Sequence, residues 1–95
     1  MVNSTQFEML AKLVKVLAVE PNETELLDLY GWYKQATKGD IKIPQPDVND
    51  IIGNKKWRAW NKVKGASLYH SEINYILIGN ILINKYGFKK HFSIE

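Results

Sequence analysis

An all-α domain is predicted by three observations. Apolar residues recur at 3.6-residue spacing through four separate segments. Each segment is bounded by residues that start or stop helices. No run of useful length alternates apolar and polar residues as a half-buried strand would. The 95 residues form one domain, 1–95, large enough for a single core without disulfides or metals.

The first helix, about 4–18, starts at Ser4 or Thr5, either of them a good N-cap. Phe7, Leu10, Ala11, Val14, Leu17 and Ala18 make one apolar face, with Glu8 and Lys12 off it. Glu20-Pro21-Asn22 is a break, because Pro21 disfavours helical backbone at Glu20. Asn22 or Thr24 caps the second helix, about 23–38, and Glu23 and Glu25 suit its positive N-terminal end. Leu26, Leu27, Leu29, Tyr30, Tyr33, Ala36 and Thr37 carry it to Lys38, with Gly39 just past its end. Ile41 to Asn49 contains Pro44 and Pro46 and reads as an ordered, irregular loop. The third helix, about 52–64, spaces Trp57 and Trp60 at i, i+3, which puts at least one of them in the core, and Gly65 closes it. Ser67 caps the fourth, about 67–86, which ends at Gly87 and leaves a tail, 88–95.

Composition excludes several classes. There is no cysteine, hence no disulfide framework, thiolate metal site or thiol nucleophile. Met1 to Gln6 lacks the basic-then-apolar order of a secretory signal. The run Ile76 to Ile83, interrupted by Gly79 and Asn80, is too short to span a bilayer, so no transmembrane segment is expected. A formal charge of +3 favours an anionic partner. Arg58 is the only arginine and no basic stripe is visible, which argues against nucleic acid. His70 and His91 are far apart with no acidic cluster to join them, so no metal or cofactor is expected. Ser, His and Asp stand in no hydrolase-like arrangement, so no enzyme activity is expected.

One stretch points to a ligand. Tyr30, Tyr33 and Lys34 stand at i, i+3 and i+4 on one helical face. Two phenols and an ammonium together suit a phosphate: tyrosine supplies a flat apolar body and a hydroxyl donor, lysine a point charge. Tyr33-Lys34-Gln35-Ala36-Thr37 is followed by Gly39-Asp40, by the loop with Pro44 and Pro46, and by Lys56-Trp57-Arg58-Ala59-Trp60-Asn61 and Lys64-Gly65. In this order and at this spacing, from about Phe7 to Phe88, the chain resembles the acyl-CoA-binding protein family.

The resemblance implies a skewed up-down-down-up four-helix bundle with the ligand in a surface bowl. It implies that Tyr30 and Tyr33 flank the pantetheine and phosphates. It implies that Lys34 and Lys56 bind phosphate and that Tyr75, in Asn74-Tyr75-Ile76, contacts adenine. Lys15 would lie near the ligand, and Ala11 and Leu27 would line the acyl groove. The implied function is to bind long-chain fatty acyl-CoA and to serve, as a cytoplasmic monomer, as a carrier and buffer in lipid transport and fatty acid metabolism. Taken alone, Tyr75 reads as core, and Lys15 belongs on any amphipathic first helix.

Several positions depart from the family pattern. Glu20, Ile52 and Asn54 stand where lysine is common, which thins the basic rim, and Lys38 and Lys55 are the cations placed to compensate. Weaker electrostatic steering is expected, with the site retained. Gly79 replaces a branched core residue, at a helix cost of about 1 kcal/mol against Ala, and leaves either a small void or a closer helix contact. The fourth helix is far more apolar than in the family. Its register turns Tyr75, Ile76, Gly79, Leu82 and Tyr86 inward and sets Ile73, Leu77 and Ile81 in an outward stripe. Either a protein, a membrane surface or a second copy covers that stripe, or the tail folds back with Phe92 and Ile94. The alternative function is therefore an interaction module on the same fold.

Overall fold

The computed structural model describes residues 4–88. Among these residues there are four α-helices: α1 (Ser4–Leu13), continued by a 3₁₀ turn (Val14–Val16), α2 (Glu23–Lys38), α3 (Ile51–Asn61) and α4 (Leu68–Tyr86). They pack as a chain of neighbours. α1 lies on α4, α4 on α2, and α2 on α3, while no Cα atoms of α1 and α2 come within 8 Å of each other. The core is Phe7, Leu10 and Leu17 from the first segment, Leu29 and Ala36 from α2, and Tyr75, Ile76 and Leu82 from α4.

Helical winding stops short of the expected residue 18. Leu17 turns extended (φ −65°, ψ 147°). The Ala18 N–H then donates to the Gly87 carbonyl at 2.8 Å, and Leu17 bridges Phe88. A partner seventy residues away thus replaces the local helical bond. α2 begins in a capping box: Asn22 Oδ1 accepts from the Glu25 N–H at 2.9 Å and Glu25 Oε1 from the Asn22 N–H at 3.0 Å. Asn22, not Thr24, is the cap. Gly39 ends the helix at φ 79°, in the left-handed region that glycine tolerates.

The 40–50 loop is pinned by side chains. The indole N–H groups of Trp57 and Trp60 donate to the carbonyls of Ile43 and Gly39, each at 2.9 Å. Asn54, at a position where a lysine was the common choice, is buried. It donates to Asp47 O at 2.7 Å and Asp50 O at 2.9 Å, and accepts from Gln45. α3 starts at Ile51, one residue earlier than expected, because the Asp50 side chain caps it through the Gly53 N–H at 2.9 Å. It also stops at Asn61 instead of 64. The next N–H groups bond three residues back, Val63 to Trp60 and Lys64 to Asn61, and this tightening brings the Gly65 N–H to Asp40 Oδ1 at 2.8 Å. Buried Gln35 donates to the same oxygen at 2.8 Å and to Ala66 O at 2.9 Å. These two donors, the Gly65 N–H first, hold the Asp40 carboxyl below its usual range.

Ser67 caps α4 through the His70 N–H. Tyr75, Ile76, Gly79 and Leu82 are buried and Tyr86 is half-buried. Leu77 and Ile81 are 54% and 61% exposed, whereas Ile73 is half-buried. Whether Phe92 and Ile94 cover this stripe is a question outside the described residues. At Gly79 the structure has close helix contact in place of a void: a methyl there would meet Leu10 Cδ1 at 2.8 Å. Gly31 is tighter still, since a methyl would sit 2.5 Å from the backbone oxygen of Ala59 where α2 crosses α3.

Candidate ligand-binding site

Because α1 and α2 keep their backbones apart, a cavity of about 660 Å³ opens between them. Ala11, Val14 and Lys15 form one wall. Leu26, Leu29, Tyr30 and Tyr33 of α2 form the other, and Tyr75 of α4 lines it as well. Ala18, Glu20 and Pro21 close the end where the first segment turns. The lining is mostly apolar, with a few polar groups at its edges, the composition expected of a small-molecule site.

Two of the lining rings, Tyr33 and Tyr75, are backed by Phe7. Phe7 stacks on Tyr33 (centroids 5.7 Å, planes 17° apart) and meets Tyr75 edge-on at 5.0 Å, while Tyr33 and Tyr75 lie 5.7 Å apart. Aromatic pairs at these separations attract through offset and edge-to-face geometry. Tyr75 is 4% exposed, and its hydroxyl has no hydrogen-bond partner among the described residues. Burial first, and then the neighbouring Tyr33, push that hydroxyl up to about 12. It therefore stays protonated and holds an unspent donor.

The cations gather round a single phenol. Lys34 Nζ lies 6.0 Å from the Tyr30 ring centre and 5.1 Å from that of Trp60, and Lys56 Nζ lies 5.6 Å from the Tyr30 ring. The rings attract the ammonium groups and hold them at the cavity edge. Neither lysine has a carboxylate partner among the described residues, where the ion pairs are Lys55–Glu23 and Lys85–Glu25. Two positive charges are thus left free beside an apolar slot.

The structure brings together Ala11, Lys15, Tyr30, Tyr33 and Tyr75 as lining residues, with Lys34 and Lys56 beside them through Tyr30. Leu27 is not among them. It sits on the opposite side of α2 and lines a different groove, with Leu26 in the cavity instead. The signal for Leu26 was local: with Tyr30 and Tyr33 it stands at i, i+4 and i+7, one continuous face. Lys55 does not supplement the rim freely either, since its ammonium is 2.9 Å from Glu23. Glu20 lines the cavity itself, a role that its position before Pro21 did not reveal. No group of three or more His, Cys, Asp or Glu among the described residues could hold a metal ion, and no helix there is long and apolar enough to cross a membrane.

Residues 4–78 match the family model described as "Acyl CoA binding protein". The chain belongs to the acyl-CoA-binding protein family. Among curated relatives, it is 41% identical to an acyl-CoA-binding protein homolog of Drosophila melanogaster over 84 residues, which is 88% of this chain and 98% of that one. It is 43% identical to acyl-CoA-binding protein 2 of Saccharomyces pastorianus over 84 residues, covering 88% and 97%. The crystal structure of acyl-CoA-binding protein 2 from Oryza sativa superposes with a TM-score of 0.83 at 32% identity, over 86% of this chain and 91% of that one. The solution structure of the yeast acyl coenzyme A binding protein gives 0.71 at 42% identity, over 88% and 98%. The fold is thus the all-α four-helix bundle of this family.

Proposed function

We propose that this chain binds long-chain fatty acyl-CoA esters, one per molecule, in the α1–α2 cavity, and that it serves as an intracellular carrier and buffer for them. The observation that carries this reading is the juxtaposition of an apolar slot with two unpaired ammonium groups held on Tyr30. An acyl-CoA has the matching halves. Its hydrocarbon tail stabilises the complex by roughly 0.8 kcal/mol per buried methylene. Its phosphates accept charge-assisted hydrogen bonds of about 1.5–3 kcal/mol each.

In this reading Lys34 and Lys56 hold phosphate, Tyr30 and Tyr33 flank the pantetheine, and the free Tyr75 hydroxyl donates to the adenine end. Ala11, Leu26 and Leu29 line the tail's path, and Lys15 sits at the rim. Glu20, an acidic group on the lining, keeps that end of the slot unattractive to a phosphate and leaves it to the tail. In this reading the ester is carried without turnover, by a monomer in the cytoplasm.

Isothermal titration with palmitoyl-CoA, with CoA alone and palmitate alone as controls, tests this. One-to-one binding of the ester, with both halves much weaker, is expected. A folded protein that ignores the ester would overturn the carrier reading and turn attention to the exposed Leu77 and Ile81 as a docking stripe for a protein or a membrane.

A further inference from the structure

We infer that the groove on the other side of α2 is a second, separate ligand site, and that it takes a long-chain carboxylate in its free form. This groove has a volume of about 520 Å³, within the range of roughly 300–1,000 Å³ usual for small-molecule sites. Leu27 and Trp32 of α2, Ala59 and Val63 from α3 and its exit, and Ile78 of α4 give it an apolar, half-buried floor.

Its polar lining is Thr24, Asp28, Lys55, Arg58 and Lys62. Lys55, Arg58 and Lys62 stand at i, i+3 and i+7 along one edge. Lys55 is already engaged by Glu23 at 2.9 Å. Arg58 and Lys62, one turn apart, have no carboxylate partner among the described residues. Asp28 lies on the opposite wall, also unpaired. Two free cations less one free carboxylate leave a single net positive charge in the groove. That matches a monoanion and not the several charges of a nucleotide phosphate. The indole N–H of Trp32 adds a donor: those of Trp57 and Trp60 reach backbone carbonyls, whereas that of Trp32 has no acceptor among the described residues.

A fatty carboxylate fits each of these features. The planar Arg58 guanidinium pairs with a carboxylate through two parallel hydrogen bonds, Lys62 adds a point charge, and the chain lies on the floor. Because Leu27, Asp28 and Trp32 face away from Leu26, Tyr30 and Tyr33 on the same helix, the two sites are filled independently.

Titration of the isotope-labelled full chain with laurate, followed by amide and indole NMR signals, tests the site directly. Saturable shifts are expected at the Trp32 indole, Ala59 and Ile78. The double substitution Arg58→Ala, Lys62→Ala should raise the midpoint of those shifts by about tenfold or more while leaving the palmitoyl-CoA isotherm unchanged. Three results would overturn the inference: no saturable shift at these residues, shifts confined to Ala11, Val14 and Tyr33, or an unchanged midpoint in the double variant. Since the signals are local to the groove, its failure is distinguishable from failure of ester binding in the first cavity.

Discussion

Lys34 and Lys56 reach the same phenol from two different helices, and neither spends its charge on a carboxylate. Each is positioned by ring contacts that survive loss of the other, so the two should act separately on a bound phosphate. Lys34→Ala and Lys56→Ala should each weaken palmitoyl-CoA binding by about 10- to 100-fold, the equivalent of one charge-assisted hydrogen bond. Titration calorimetry reads the loss, and an unchanged far-ultraviolet circular dichroism spectrum shows that the helices persist. The adjacent leucines give a sharper test. Leu26 lines the cavity and Leu27 the groove behind it. Leu26→Ala should lower ester affinity by roughly 10- to 50-fold, since it removes about three carbons worth about 0.8 kcal/mol each when buried, whereas Leu27→Ala should leave it unchanged. Equal effects on calorimetry would contradict the placement of the two leucines in separate grooves. The Tyr30, Tyr33 and Lys34 face was legible in the sequence because i, i+3 and i+4 spacing is a local property of a helix. Leu26 leads that same face and was legible on the same grounds, whereas Glu20 on the cavity lining was not, because its place depends on the path of the chain between α1 and α2.

At the scale of an element, α2 and α4 each carry a glycine where another helix comes close, and the two should respond oppositely to a methyl group. Alanine gains about 1 kcal/mol of helix propensity over glycine at either position. At Gly31 the obstacle is the Ala59 backbone oxygen at 2.5 Å, which cannot move unless α3 moves. Overpacking of this kind costs about 1–3 kcal/mol, so Gly31→Ala should destabilise the fold and open the α2–α3 crossing. At Gly79 the obstacle is Leu10 Cδ1, the far end of a flexible side chain. Gly79→Ala should therefore be neutral or stabilising. Thermal unfolding separates the cases, at about 4–8 °C per kcal/mol for a domain of this size, and a Gly31→Ala protein as stable as wild type would contradict the close approach. Caps at Asn22 and Ser67 and the stop at Gly39 were legible, since their partners lie within four residues. The ends of α1 and α3 were not. Gly87 takes the Ala18 N–H, and Asp40 takes the Gly65 N–H, and both partners are remote in sequence.

Across the whole molecule, one carboxylate joins the start of α2 to the end of α4. Glu25 meets Lys85 Nζ and the Tyr86 hydroxyl, each at 2.6 Å. Those bonds, Lys85 foremost and then Tyr86, lower its carboxyl from 4.5 to about 2. A carboxyl depressed by folding contributes stability that is fully present above the unfolded value and is lost as pH falls through the folded one. The clamp should therefore weaken between pH 4.5 and about 2. Glu25→Gln can keep the capping box but removes the charge. It should be less stable than wild type at neutral pH, with the two denaturation curves converging as the solution is acidified. Parallel curves would rule out the clamp as an acid-sensitive tie. A different consequence follows from the missing backbone contact between α1 and α2. Apart from the Phe7–Tyr33 stack, the material that would mortar these helices together is supplied by the cargo itself. In the empty protein α1 leans on α4 and, on the α2 side, on that one ring stack, so its amide protons should exchange with solvent sooner than those of α2. Loading with an acyl-CoA should slow exchange in α1 more than in α3, so that the first helix is fully part of the domain only while the protein carries its load.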